Sequence, residues 1–267
     1  MDGATAPPGI DTTRAHPARV YDYWLGGKDN FAADREAAEQ ALQAYPQLAQ
    51  AVQANRKFLA RAVRYLTGEA GIRQFLDVGT GIPAADNTHQ VAQREAPASQ
   101  IVYVDNDPIV LLHARALLSS TPQGTCDYVE ADLRDTAAIV RAAARTLDFG
   151  APVALMLLII LHLIPDDDDP YGIVAELMGA LPSGSYLVLA HPASDIRAVQ
   201  MAEMTRRVNE RMRGPVATMR DRAAVTRFFD GLDLVEPGVV QPQQWRPEPE
   251  TLSPPQVTAW CGVARKR

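Results

Sequence analysis

Cysteine is scarce in this sequence. Cys126 and Cys261 are the only two among 267 residues, and they lie far apart in the chain. Because metal centres built from cysteine need ligands at short spacing, these two cannot form such a ligand pair. We expect no metal site of this kind, and the low cysteine content favours a reducing compartment.

Long apolar runs are also missing. The longest, residues 153–161, has nine residues, whereas a membrane-spanning helix requires about 20. The first 17 residues contain Pro7, Pro8 and Pro17 but no apolar run, so they do not have the pattern of a secretory signal. These features predict a soluble, cytoplasmic protein that does not associate with membranes.

The sequence has no excess of positive charge. The 26 Lys and Arg residues are outnumbered by 32 Asp and Glu, which gives a formal net charge of −6. This balance disfavours nucleic acid as a partner, since gripping a phosphate backbone requires a basic surface. The 47% apolar and 22% charged residues are typical of a globular protein and exclude disorder as the global state.

The patterning of the chain suggests three parts. Residues 1–17 are small, polar or proline and predict a flexible tail, because they offer little to bury. Residues 18–71 have helical periodicity and predict an N-terminal helical cap. Residues 72–267 predict the core, with a helical insertion at about 195–230.

Within the predicted core, short β-rich runs alternate with stretches that suit helices. This alternation is typical of an α/β protein with a doubly wound, mostly parallel sheet and helices on both faces. The predicted strands are 74–78, 101–104, 125–130, 153–161, 185–190, 232–240 and 257–265, and the predicted helices are 86–95, 108–118, 136–146, 170–180, 195–213 and 222–229.

A glycine-containing turn follows the first predicted strand. Asp77 lies just before Gly79, Thr80 and Gly81, and a helix is predicted beyond them. Glycine allows a sharp turn and lets a ligand approach the backbone amides at a helix N-terminus. The same residues also fit a chance turn that binds no ligand. They fit equally the fingerprint of a dinucleotide-binding site, which would extend to Ala84.

Acidic residues follow the next two predicted strands. Asp105 comes 24 residues after Gly81, close to the spacing of about 20 expected for an acid that binds ribose hydroxyls. Asp132 and Leu133 follow the third strand, where a carboxylate can accept from an adenine amino group and an apolar side chain can cover the ring. Together with Asp77, these acids are predicted to meet at one edge of the sheet.

These motifs resemble those of class I S-adenosylmethionine-dependent methyltransferases, and most closely a bacterial family named only "S-adenosyl methyltransferase". The resemblance extends over about residues 18–266 and departs from the broader pattern at Pro83, where a third glycine is common. The segments that carry it are 18–30, 77–87, 103–108, 131–135 and 161–165.

The resemblance implies a Rossmann-like, seven-stranded, mostly parallel sheet whose last strand is antiparallel. It also implies S-adenosylmethionine as cofactor and S-adenosylhomocysteine as product. A more distant similarity to carboxyl methyltransferases suggests that Arg56 binds the cofactor carboxylate, with a solvated helical arginine as the alternative. The residues expected to bind the cofactor are Arg56, Asp77, Gly79, Thr80, Gly81, Asp105, Asn106, Asp132 and Leu133.

His162 follows the fourth predicted strand, at the edge of the sheet that would face the ligand. A near-neutral imidazole there can remove a proton from an attacking oxygen or nitrogen. The alternative is a histidine that only shapes the pocket. The acidic run 166–169 resembles a metal cluster, but its position before a proline favours a solvated turn at a helix N-terminus, so no metal is predicted.

The N-terminal segment is unusually rich in aromatic and polar residues around the glycine pair 26–27. Tyr21, Trp24, Lys28 and Asn30 are candidates for a lid that closes over cofactor and acceptor and excludes water. They can equally be core residues of a helical cap. The arginines of the predicted helix 195–213 favour surface salt bridges over recognition of an acidic acceptor.

These observations predict methyl transfer to a small-molecule acceptor by direct in-line displacement. An obvious nucleophile is not required, because the protein supplies mainly alignment and desolvation. One alternative is a sensor or scaffold that binds the cofactor without transferring the methyl group. A second is a nicotinamide-dependent oxidoreductase, which the glycine turn permits but which leaves Asp132 without a role.

Overall fold

The computed structural model of the protein describes residues 11–117, 120–211, 217–248 and 256–267. In these ranges the helices are α1 (Pro17–Trp24), α2 (Ala32–Ala44), α3 (Leu48–Gly68), α4 (Thr88–Glu95), α5 (Pro108–Leu117), α6 (Thr136–Ala143), α7 (Pro170–Gly179), α8 (Ala198–Arg211) and α9 (Arg222–Arg227). The strands are β1 (Gln74–Val78), β2 (Gln100–Asp105), β3 (Thr125–Glu130), β4 (Ala154–Leu158), β5 (Tyr186–Pro192), β6 (Asp233–Leu234) and β7 (Ala259–Arg265).

The strands in the described ranges form one sheet in the order β3-β2-β1-β4-β5-β7-β6. Strands β1 to β5 pair in parallel, and β7 pairs antiparallel with both β5 and β6. The predicted Rossmann-like α/β sheet with an antiparallel last strand is therefore confirmed. The chain moves outward from β1 to β3 and then returns to β4, so the carboxyl ends of β1 and β4 border the switch point where such sheets bind ligands.

Both faces of the sheet are buried, because apolar side chains alternate along the central strands and helices cover each side. Leu155 and Leu157 of β4 belong to one apolar cluster, and Ala154 and Met156 belong to the other. On the second face, α3 packs against the sheet, where Phe58 meets the fully buried Trp245 edge to face. This packing fixes α3 beside the carboxyl end of β1.

Helices α1, α2 and α3 precede the sheet, and α2 packs against α8. Residues 1–10 of the predicted tail lie outside the described residues. Its remainder, 11–17, contacts the folded chain: Ala15 is buried, and His16 Nδ1 lies 2.8 Å from Asp107 Oδ2. Arg19 of α1 pairs with the fully buried Asp34 of α2. These contacts join the N-terminal helices to the loop after β2.

Several predicted boundaries were wrong. β4 ends at Leu158 rather than at residue 161, because Ile159 has a φ of +56° and residues 161–163 form a 3-10 turn. Ile159 therefore leaves the extended region. β6 has two residues rather than the predicted 232–240, and pairing with β7 resumes only at Val240 after a turn at Gly238.

The helix predicted at 195–213 begins later, at Ala198, and residues 212 and 213 lie outside the described ranges. The helix predicted from residue 86 begins at Thr88, with Asn87 as its N-cap residue, and the Gln90 side chain accepts from the Asn87 backbone amide at 2.9 Å. No helix in the part of the chain that the structure describes is long and apolar enough to cross a membrane.

Candidate active site

A cavity of about 430 Å³ opens at the carboxyl ends of the parallel strands. Its volume lies within the range of about 300–1,000 Å³ that is typical of ligand sites. One side is formed by the residues that follow β1, β2, β3 and β4, and the other by α1, α3 and α8. The cavity therefore lies at the switch point of the sheet.

The glycine turn after β1 forms part of the cavity wall. The backbone amides of Gly79 and Thr80 donate to Val104 O, which ties the turn to β2. Gly79 has a φ of +75°, and a Cβ there would collide with Ile160. Gly81 has a φ of +66°, and a Cβ there would meet nothing within 4 Å. The open space beside Gly81 leaves its backbone accessible to a ligand.

Asp105, the last residue of β2, is buried beside this turn and lines the cavity. Its Oδ2 accepts from Gly81 N at 2.8 Å, and its Oδ1 accepts from Asp107 N at 3.0 Å. Burial raises the pKa of Asp105. Because a carboxylate oxygen has more than one acceptor site, Asp105 can still accept hydrogen bonds from the hydroxyls of a ligand.

Asp77 lies in β1 on the same side of the cavity and is almost completely buried. Its Oδ2 accepts a hydrogen bond of 2.6 Å from the hydroxyl of Thr88, which is the first residue of α4. Burial raises the pKa of Asp77 to about 6, although the Thr88 hydrogen bond and the charge of Arg56 act in the opposite direction. A buried carboxylate that is ionised above this pH favours a cationic ligand group nearby.

Arg56 projects from α3 toward the loop between β1 and α4. Its Nη2 donates to Ala85 O at 2.8 Å and to Asp86 O at 3.1 Å, and Asn87 Oδ1 lies within 3.4 Å. Arg56 thus holds the loop in place and lines the cavity. These contacts differ from those of a solvated helical arginine, the alternative that the sequence left open.

Asn106, Asp132 and Leu133 lie together at the ends of β2 and β3 and line the cavity. Leu133 is buried and presents an apolar surface. Asp132 is partly exposed, and Arg134, which the sequence did not identify, donates to it through its backbone amide and its guanidinium. Asn106 Nδ2 lies 3.5 Å from Asp132 Oδ2. This group offers a carboxylate beside an apolar surface, the chemistry that an adenine ring requires.

His162 lies in the 3-10 turn after β4 and lines the cavity. Its Nδ1 is buried without a hydrogen-bond partner. Burial, together with the charge of Arg220, lowers the pKa of His162 to about 4. The imidazole is therefore neutral at pH 7 and has a nitrogen free to accept a proton or a hydrogen bond.

Arg220 is a buried cation that the sequence analysis missed. Its guanidinium donates to Leu161 O and Ile164 O at 3.0 and 2.9 Å, on either side of His162, and to Asp166 Oδ1 at 2.6 Å. It also lies 2.9 Å from Nε2 of His191. Arg220 therefore clamps the turn that carries His162. No signal in the sequence distinguishes it from the surrounding arginines.

The acidic run after this turn is engaged by protein groups. Asp166 pairs with Arg220, and Asp168 pairs with Arg134 at 2.7 Å. Asp169 caps α7 by accepting from Gly172 N. Three of the four carboxylates in this acidic run are therefore bound by arginine side chains or by a backbone amide.

The structure brings Tyr21 and Trp24 of α1 to the cavity but not Lys28 and Asn30. Lys28 is exposed. Asn30 is buried away from the cavity and donates to Asp22 Oδ2 at 2.8 Å, which stabilises the turn after α1. Asn30 therefore supports the turn around the glycine pair, and neither Asn30 nor Lys28 lines the cavity.

Asn55 of α3 is a further cavity residue that sequence reasoning missed. Its Nδ2 donates to Tyr21 Oη at 3.0 Å, and its Oδ1 is buried without a partner. The signal was present in the sequence, because Asn55 shares one face of α3 with the apolar residues Leu48, Val52 and Leu59. A polar residue in the middle of such a face requires an explanation.

Comparisons with known proteins agree with this geometry. A family model described as "S-adenosyl methyltransferase" matches residues 3–267. The crystal structure of a DUF574 family protein from Streptomyces avermitilis MA-4680 is 45% identical, covers 96% of this chain and 99% of its own, and has a TM-score of 0.90. The crystal structure of a protein from Thermobifida fusca YX is 40% identical in sequence and has a TM-score of 0.89. The match covers 99% of this chain and 100% of that protein's chain.

More distant structures share the fold alone. The plantazolicin methyltransferase BpumL, in complex with S-adenosylhomocysteine and a desmethylplantazolicin analogue, is 10% identical with a TM-score of 0.54, and covers 94% of this chain and 96% of its own. No curated protein matches the sequence.

Proposed function

Because the chain belongs to the S-adenosyl methyltransferase family, we propose that its cavity is where a methyl group passes from S-adenosylmethionine to a small-molecule acceptor by direct in-line displacement. The observation that carries this proposal is the convergence of Asp77, the glycine turn, Asp105 and Asp132 on one cavity at the strand ends. When bound, the cofactor supplies a methyl group already activated by its positive sulfur.

The residues around the cavity fit this cofactor. Asp105 has acceptor capacity left for ribose hydroxyls, and the open space at Gly81 allows close approach to the backbone. Leu133 and Asp132 suit the adenine ring and its amino group, with Asn106 beside them. Asp77 and Arg56 have the opposite charges that an amino acid moiety requires. Gly79 and Thr80 complete the turn.

We assign to His162 the role of proton acceptor. As an acceptor oxygen bonds to the methyl carbon and the carbon–sulfur bond breaks, the oxygen becomes strongly acidic and must lose its proton. A neutral imidazole with a low pKa suffices for such an acid. Arg220 acts as a positioning residue, because it holds the backbone on both sides of His162.

The helices α1 to α3 act as a cap in this proposal. Tyr21 and Trp24 close the cavity on the side opposite the strand ends and exclude water from the transfer step. Asn30 contributes indirectly, through its hydrogen bond to Asp22 in the turn that follows α1. The loss of water strengthens the alignment on which displacement depends.

The family match decides for a methyltransferase over a nicotinamide-dependent oxidoreductase. An experiment distinguishes an active methyltransferase from a sensor that binds the cofactor without transferring its methyl group. The protein is incubated with methyl-labelled S-adenosylmethionine and the filtered small-molecule fraction of a bacterial extract. We expect label in a small molecule with the wild type and much less with Asp105→Ala at a subsaturating cofactor concentration. Binding of S-adenosylhomocysteine without any labelled product would support the sensor instead.

A further inference from the structure

The cavity wall opposite the strand ends is largely apolar. Its side chains belong to a separate apolar cluster in which α1, α2, α3 and α8 pack together. We call the space beside this wall the acceptor chamber. The residues that both line the cavity and belong to this cluster are Tyr21, Trp24, Leu48, Val52, Met201, Met204, Val208 and Met219.

The acidic and arginine side chains lie on the other side of the cavity. Among the described residues that line it, they belong to α3, to β1 or β2, or to the segments after the strands, and each has a protein partner, such as Thr88 for Asp77. His16, directly before α1, also lines the cavity and pairs with Asp107. The arginines 206 and 207 of α8 pair with Glu203 and do not line the cavity. A charged molecule in the acceptor chamber would lose its hydration without gaining a counter-charge.

The acceptor chamber nevertheless contains unsatisfied polar atoms. Asn55 is 4% exposed, and one atom of its amide bonds to Tyr21 while the other has no partner. An unpaired buried polar group is costly, and a ligand group that bonds to it removes the cost. His162 Nδ1 offers a second such atom.

The side chains of this wall are also suited to contact with flat rings. Three methionines and two aromatic side chains line this wall, and thioethers make favourable contacts with aromatic rings while adapting to their shape. The Trp24 indole N–H already donates to Ala38 O, so its remaining surface acts as an apolar face. Rings without charge therefore suit this wall better than chains that carry ammonium or carboxylate groups.

We propose that the acceptor chamber binds an uncharged, ring-bearing, predominantly apolar molecule that has one hydrogen-bonding group, held by Asn55. This inference rests on the proposed function, since the ring-bearing molecule is the methyl acceptor. It adds what family and fold do not supply, namely the chemical class of the acceptor and the residues that select it.

The test compares two probes that differ by one charge. Binding of 2-naphthol and of 6-hydroxy-2-naphthoate is measured by calorimetry on protein saturated with S-adenosylhomocysteine. We expect 2-naphthol to bind at least about tenfold more tightly, because the carboxylate has no partner in the chamber. Equal or tighter binding of the naphthoate, or no binding of 2-naphthol, would overturn the proposal.

Matched methionine variants locate the binding site. Met204 lines the acceptor chamber, whereas Met178 is equally buried in the main core and does not line the cavity. Met204→Ala should weaken 2-naphthol binding at least about fivefold while Met178→Ala leaves it unchanged. If both variants have the same effect, or neither has one, the chamber is not the binding site.

Asn55→Leu tests the hydrogen-bonding anchor. It should weaken 2-naphthol binding and preserve affinity for S-adenosylhomocysteine; the opposite result would assign Asn55 to the cofactor and remove the anchor from the proposal. Titration with S-adenosylhomocysteine alone is performed first. Failure at that step contradicts the proposed function, whereas cofactor binding followed by failure with 2-naphthol contradicts only the acceptor class.

Discussion

The backbone amide of Gly81 donates to Asp105 Oδ2 at 2.8 Å. This hydrogen bond joins the turn that follows β1 to the acid that ends β2, two motifs that are 24 residues apart in the chain. Asp105 thereby has two tasks, since it holds the turn in shape and presents a carboxylate to the cavity. A change at Asp105 is expected to affect both.

Replacement of Asp105 by alanine should weaken binding of S-adenosylhomocysteine by about 1 to 3 kcal/mol, the scale of hydrogen bonds to a charged group. Calorimetric titration measures the change. Glu130→Gln provides the control, because Glu130 pairs with Asp105 in register but is exposed and does not line the cavity. Unchanged affinity in folded Asp105→Ala would remove Asp105 from the ribose role.

Cofactor binding should depend on the ionisation of Asp77. With a pKa of about 6, the carboxylate is mostly protonated at pH 5 and loses its attraction for a cation. We expect wild-type affinity for S-adenosylhomocysteine to be about tenfold lower at pH 5 than at pH 8. Asp77→Asn should bind weakly at both values, with little difference between them. A wild-type pH dependence that persists in Asp77→Asn would assign it to another group.

The same substitution should stabilise the protein without ligand. Because the folded state holds the Asp77 proton more tightly than the unfolded state, stability is highest below about pH 4 and is lost as the pH rises through about 6. Asp77→Asn avoids the cost of the buried charge, about 1 to 3 kcal/mol above pH 6. Its thermal unfolding midpoint should exceed that of the wild type at pH 8, and a lower midpoint would contradict the burial argument.

His162 should remain neutral well below the usual range of histidine. Its pKa of about 4 follows from burial and from the charge of Arg220, so the ring stays uncharged at pH 5. Nitrogen-15 NMR of histidine-labelled protein reports the protonation state directly, and comparison with His162→Gln identifies the signal. A midpoint near 6.5 would show that the ring is solvated and would weaken its assignment as a proton acceptor in a dry site.

Arg220→Met should destabilise the fold by about 2 to 4 kcal/mol, because it leaves buried carbonyls and the neutral His191 without their donor. Arg206→Met removes an arginine from the exposed face of α8 and should cause no measurable change. Urea unfolding measures both variants. If both are equally stable, the contacts of Arg220 do not contribute to holding the turn that carries His162.

The sequence predicted those features that depend on local order. Parallel strands place their carboxyl ends together, so Asp77, Asp105 and Asp132 could be assigned to one edge before any contact was known. The family and the cofactor followed from the same motifs, and both are confirmed. The antiparallel last strand, implied by the resemblance, is confirmed as well.

The sequence did not predict the features that depend on distant packing. Arg220 meets His191 and the turn after β4 only because its segment forms a bridge with Ala193, directly after β5. The acceptor chamber is lined by residues of α1 and α3 and by methionines of α8, which is distant from these helices in the sequence. Periodicity marks such residues as buried, but it does not indicate which of them face a cavity.

The central claim is that the cavity at the strand ends binds the adenosyl cofactor. The most direct measurement is a crystal structure of the protein grown with S-adenosylhomocysteine. The account predicts the ribose within hydrogen-bond distance of Asp105, the adenine against Leu133, and the sulfur facing the acceptor chamber. An ordered ligand at another surface, or a cavity without ligand at saturating concentration, would contradict it.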